Sequence, residues 1–101
     1  MMRLSDAEIA DRLNRLPGWE RQGDEIRRTF SFTDFKGAVA FVNRVAELAE
    51  DMNHHPDIDI RFSKVTLTLS THDAGGLTAR DLDLAAAIDA AATGLGWQRE
   101  A

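Results

Sequence analysis

Three histidines carry most of the chemistry open to this chain. His54 and His55 are adjacent in EDMNHHPDID, residues 50–59, among four carboxylates, and the only other histidine is His72. Imidazole titrates close to neutral pH and can give or take a proton, so a converging set could act as acid and base. Histidines beside carboxylates could equally ligate zinc or iron. Against a metal, the HExxH spacing that turns two rings towards one ion is missing, and Pro56 restricts His55 to extended backbone, where adjacent side chains diverge. The expectation is no metal, with the two rings flanking a flat ligand. Taken singly, a histidine at a helix C-terminus is explained by the helix dipole, and a loop histidine by solvation. Convergence of all three would favour chemistry.

The spacing of apolar residues says what must position these rings. Ser5 with Glu8 three residues on reads as a capping box, with Leu4 stapled against Ile9 and Ile9, Leu13 and Leu16 as the buried stripe. Pro17 and Gly18 stop that helix. Ile26, Phe30 and Phe32 share one parity in EIRRTFSF, which predicts a hairpin of two short strands around Gly23 and Asp24. A long amphipathic helix follows from Thr33 as N-cap, with Phe35, Ala38, Val39, Val42, Val45, Ala49 and Met52 at three-and-four spacing, ending near Asn53.

Next, Ile58, Ile60 and Phe62 alternate with Asp57, Asp59 and Arg61, and Val65, Leu67 and Leu69 with Lys64, Thr66, Thr68 and Ser70. This predicts two half-buried strands joined by a turn near Ser63 and Lys64. Gly75 and Gly76 break the chain. Thr78 with Asp81 has capping-box spacing at the start of an alanine-rich helix that runs to Gly94, leaving a short tail with Trp97. The order helix, two strands, helix, two strands, helix makes an α+β fold with one sheet face covered by helices. If the second strand pair is a hairpin, its open end returns His72 to His54 and His55. On a continuing helix Glu50 would share the face of His54 and could fix its tautomer.

Totals bound the function. At 101 residues, a single domain over 1–101 is expected. With 17 acidic against 12 basic residues the net charge is -5, which disfavours nucleic acid or an anionic membrane and favours a small molecule or a protein as partner. No cysteine is present, so neither disulfide nor thiolate chemistry is open to it. MMRLSDAEIADRL lacks the apolar core of a signal peptide, and no run approaches the ~20 apolar residues of a membrane helix, so the expected location is the cytoplasm.

Glu50-x3-His54-His55-Pro56-x5-Phe62-x9-His72-x8-Asp81 resembles the signature of the pterin-4a-carbinolamine dehydratase family, also called the dimerisation-cofactor family. LPGW at 16–19, FSF at 30–32 and LSTHDAGGLTARD at 69–81 are similar to further family landmarks, so the resemblance spans nearly the whole chain. It implies a four-stranded antiparallel sheet with three helices packed on one face, and a homodimer or homotetramer formed by pairing sheet edges. The implied reaction is that of a hydro-lyase: 4a-hydroxytetrahydropterin, the carbinolamine released by aromatic amino acid hydroxylases, loses water to give quinonoid dihydropterin. No redox change occurs, so the pterin is substrate and no cofactor is implied. Carried over by position, His54, His55 and His72 are the acid, base and pterin-contacting groups, with His55 the first choice for the essential proton transfer. Glu50 and Asp81 are orienting or pterin-binding carboxylates, Ser70 and Thr71 polar contacts, and Pro56 and Phe62 complete the signature. Ile58 departs from the tryptophan of animal members, so the resemblance implies no aromatic wall at this position, while the proton-transfer set is complete.

A second reading is a non-catalytic module of the same fold, since some members act as transcriptional coactivators or assembly proteins. A pure scaffold has no need of three histidines and two acids at this spacing.

Overall fold

A computed structural model describes residues 2–95, so the tail with Trp97 lies outside the described residues. Helix α1 (Asp6–Leu13) starts from a capping box in which the Ser5 hydroxyl accepts the Glu8 N–H and the Glu8 carboxylate accepts the Ser5 N–H. It ends earlier than the Pro17-Gly18 stop suggests, and Leu16 reaches the core from the turn beyond it. Strands β1 (Glu20–Gln22) and β2 (Glu25–Ser31) form the first hairpin. Helix α2 (Phe35–Met52) is capped by Asp34, whose carboxylate accepts the Gly37 N–H at 2.8 Å, and not by Thr33. A carboxylate reaches the first-turn amides and favours the positive end of the helix, which is why Asp34 takes the cap from its neighbour.

Strands β3 (Asp57–Arg61) and β4 (Lys64–Leu69) make the second hairpin, and helix α3 (Ala79–Thr93) is the last element of the described residues. Among the described residues the four antiparallel strands lie in the order β1-β2-β4-β3. Ile26 and Phe30 from β2 and Val65, Leu67 and Leu69 from β4 point to the helices and are fully buried with Phe41, Val45, Leu82 and Ile88. Phe41 packs its ring 4.8 Å from that of Phe30 and 5.0 Å from that of Phe32. Each such side chain contributes roughly 1.5–3 kcal/mol on burial, so this seam is the main support of the fold. No helix among the described residues is long and apolar enough to cross a membrane.

The second hairpin corrects two expectations. Its turn is Phe62 and Ser63, with Lys64 already in β4, and Phe62 takes a left-handed φ of 53° while standing 74% exposed. Strand β3 is not half-buried: all five of its residues are exposed. Ile58 and Ile60 pair with Leu67 and Val65 and so face the helix side, yet each remains 39% exposed because β3 is the outer strand.

Candidate active site

The open end of the β3–β4 hairpin receives three chain segments. The first is the end of α2, where Asn53 adopts the left-handed conformation (φ 49°, ψ 45°) and the His54 N–H closes back on the Ala49 carbonyl at 3.0 Å. Asparagine is among the few side chains that visit this region at low cost. The reversal sends consecutive side chains apart: His54 turns inward and is 8% exposed, while His55 stays at the surface.

The second segment follows β4. Ser70 and Thr71 lead into a single 3-10 turn, His72–Ala74, closed by Gly75 at φ 72°. Paired amide bonds between Thr71 and Gly76 pinch the base of this loop, so His72 and Asp73 project from it. The third is the start of α3, where Thr78 and Asp81 form the capping box read from their spacing. Together these segments line a cleft of about 330 Å³ with Asn53, His54, His55, Ser70, Thr71, His72, Asp73 and Arg80. That size lies within the range of small-molecule sites. A larger cleft of about 590 Å³ near the N-terminus holds no histidine, and in it Asp6 binds Arg21, Glu8 binds the Ser5 N–H and Arg3 reaches the Gly75 carbonyl.

All three histidines therefore reach one cleft, but their carboxylate partners differ from the arithmetic of helix spacing. His54 Nε2 lies 2.6 Å from Asp81 Oδ1, and His55 Nε2 lies 2.5 Å from Glu50 Oε2. Glu50 therefore holds His55, and not His54 as a continuing helix would require, because the turn at Asn53 ends the 3.6-residue period just before the histidines. His72 has no side-chain hydrogen bond among the described residues.

Asp81 is fully buried, and its second oxygen accepts the Thr71 hydroxyl at 2.8 Å and the Thr78 N–H at 3.0 Å. Three donors are the compensation a carboxylate needs when water is excluded. Since a carboxylate only accepts, neutral His54 carries its proton on Nε2 and leaves a lone pair on Nδ1. Nδ1 has no partner among the described residues, and no buried polar side-chain atom there lacks one, so Nδ1 is open to solvent. The ring thus has a hydrogen-bonded back and a basic front.

Of the remaining residues singled out by sequence, Ser70 lines the cleft, whereas the Thr71 hydroxyl is occupied by Asp81 and Thr78 behind it. Pro56 does not line the cleft, and Phe62 lies at the opposite end of the hairpin. Asn53, Asp73 and Arg80 were not singled out. Each is the immediate neighbour of a signature residue, which is the signal that could have found them. No group of three or more His, Cys, Asp or Glu among the described residues is arranged to hold a metal ion.

A family model described as pterin 4 alpha carbinolamine dehydratase matches residues 2–91. The chain belongs to this family. Its relatives include a protein of Roseiflexus castenholzii, 66% identical over 86 residues, 85% of this chain and 92% of the relative. Another, from Thermomicrobium roseum, is 61% identical over 85 residues, 84% of this chain and 91% of the relative. Both bear the name "Putative pterin-4-alpha-carbinolamine dehydratase". Among solved structures, a "transcriptional coactivator/pterin dehydratase" of Brucella melitensis superposes with a TM-score of 0.86 at 35% identity, covering 89% of this chain and 98% of that one. A pterin dehydratase-like protein described as a RuBisCO assembly factor of the alpha-carboxysome superposes with a TM-score of 0.61 at 25% identity, covering 73% and 86%. The pterin-dehydratase fold thus frames a histidine cleft in this chain, and proteins similar to it are described both as enzymes and as partners of other proteins.

Proposed function

We propose that this protein dehydrates 4a-hydroxytetrahydropterin to quinonoid dihydropterin by histidine acid-base catalysis. The observation that carries this reading is the meeting of His54, His55 and His72 on one small cleft, two of them backed by carboxylates. Loss of water needs the N5 proton removed and the departing 4a-hydroxyl protonated, while the nitrogen lone pair expels it. His54, with its lone pair on Nδ1, is suited to take the N5 proton. His55, held through Nε2–H by Glu50, gives the hydroxyl its Nδ1 proton from the imidazolium form and regains a proton from solvent. His72 closes a further side of the cleft, against the pterin. The C–O bond electrons leave with the oxygen as water and the N5 lone pair forms the new C=N bond, so no oxidation state changes overall and the reaction itself demands no redox partner. Such an enzyme would serve tetrahydropterin recycling downstream of an aromatic amino acid hydroxylase.

The test is the rate at which freshly generated 4a-hydroxytetrahydropterin loses water with native protein and with His55→Ala, each with and without chelator. The expected result is chelator-resistant acceleration that the substitution reduces roughly a hundredfold or more. Absence of acceleration by folded native protein refutes the reading.

A second reading, protein association, is favoured by the exposed outer strand. Its backbone edge, which pairs with no strand among the described residues, and the half-covered Ile58 and Ile60 suit pairing with the β3 of another copy, giving a dimer or tetramer. Light scattering of native protein and of Ile60→Asp distinguishes this: the native mass should be a multiple of the chain mass and the variant's should fall.

A further inference from the structure

We propose that Thr71 and Thr78 form a one-way chain of hydrogen bonds that holds Asp81 in place and thereby sets the tautomer of His54. The inference rests on the catalytic reading for its effect on rate, but its geometry stands independently.

The direction of the chain follows from valence. Asp81 Oδ2 only accepts, so the single hydroxyl proton of Thr71 points to it over 2.8 Å. Thr71 has no second proton to give, and the 2.8 Å contact between the two threonine hydroxyls must therefore be donated by Thr78. The Thr78 oxygen in turn accepts the Arg80 N–H at 3.3 Å. Protons thus run from the first-turn amide of α3 through Thr78 and Thr71 to Oδ2, while the opposite oxygen, Oδ1, receives His54 Nε2–H.

Burial makes the chain exclusive. Thr78 and Asp81 are 0% exposed and Thr71 is 7%, so Oδ2 draws its donors from the protein and losing one leaves a buried acceptor short of a partner. Hydrogen bonds in series at low dielectric also polarise one another, which strengthens the final bond to the ring.

Helix capping does not account for this arrangement. A capping box needs only Thr78 and Asp81, and both of its reciprocal bonds are present without Thr71. Thr71 comes from beyond β4, and its hydroxyl adds nothing to the cap. What it adds is a second donor to Oδ2, which restrains rotation of the carboxylate and keeps Oδ1 directed at His54. Thr71 and Thr78 are on this view positioning residues, acting on substrate only through the imidazole.

The experiment combines ring nitrogen-15 NMR with dehydration kinetics on the native protein, Thr71→Val, which keeps the shape and loses the hydroxyl, and Thr71→Ser, which restores it. Native His54 should give the Nε2–H pattern. Thr71→Val should mix the two tautomers and lower kcat about tenfold with KM changed less than twofold, and Thr71→Ser should recover both readouts. A native Nδ1–H tautomer overturns the proposal without any variant, so a failure of Thr71→Val to fold leaves it open to refutation. A Thr71→Val protein with unmixed tautomers, whatever its rate, or one with mixed tautomers and native kcat, overturns it as well. If native protein fails to accelerate dehydration, the catalytic reading falls while the NMR result still decides whether the chain sets the ring.

Discussion

Asp81 does two things with one carboxylate: Oδ2 caps α3 through the Thr78 N–H, and Oδ1 holds the imidazole of His54 at 2.6 Å. Helix start and candidate base are thus one hydrogen-bonded unit, and a substitution there should divide into a small loss of stability and a large loss of rate.

Asp81→Asn is the sharpest case. An amide can donate to Nε2, which would turn the ring to its Nδ1–H tautomer and present a proton to the cleft in place of a lone pair. Dehydration should fall by at least about a hundredfold. Weakening of the cap should cost only about 1 kcal/mol in urea unfolding. A variant of near-native rate would remove His54 as the base.

The other pair should behave differently. His55 and Glu50 have side chains 56% and 74% exposed, so their contact is screened and contributes under about 1 kcal/mol. Glu50→Gln should leave the melting temperature nearly unchanged and lower kcat by less than about tenfold, because solvent can take over as proton partner of His55. A loss as large as that of Asp81→Asn would contradict this division of roles.

The reassigned cap of α2 is directly testable. Asp34→Ala should destabilise by about 1 kcal/mol through the orphaned Gly37 amide, and Thr33→Ala should cost less. Urea unfolding of the two variants decides between them.

Two carboxyls give stability a pH dependence of opposite sign. Burial raises the pKa of Asp89 above its ordinary 3.8, against the opposing pull of the Trp19 N–H and Arg28. Its contribution is present below 3.8 and is lost as pH rises through the raised value. Glu8 is lowered from 4.5, first by the Ser5 N–H and then by its hydroxyl, so its contribution is present above 4.5 and is lost as pH falls through the lowered value. In urea unfolding across about pH 3–6, Asp89→Asn should therefore steepen the rise of stability with pH, and Glu8→Gln should flatten it.

Local rules carried far into this molecule and failed where geometry becomes non-local. Both capping boxes were legible because a cap is a contact between residues three apart. The β4 alternation was legible because helices cover one of its faces. The same alternation in β3 gave the right strand and the wrong burial, since residue parity says which way Ile58 points and nothing about what covers it. Glu50 was given the wrong histidine because one left-handed residue, Asn53, resets the count. Phe62 read as the continuation of an apolar face, although it turns the chain. The threonine chain behind His54 was hidden because Thr71 and Asp81 meet only after the loop from 72 to 76 has folded back.

Helix α3 is fastened a second time at Asp89, which accepts the Trp19 indole N–H at 2.9 Å and faces Arg28 at 3.2 Å, while Arg28 also reaches the Pro17 carbonyl at 3.1 Å. Eight residues separate Asp89 from Asp81, a run of ~12 Å along a stiff rod. A rod clamped at one point can neither slide nor roll without carrying its other end. The aim of the imidazole is therefore calibrated by a tryptophan and an arginine that lie outside the cleft, and wear at that distant rivet would register as misalignment there.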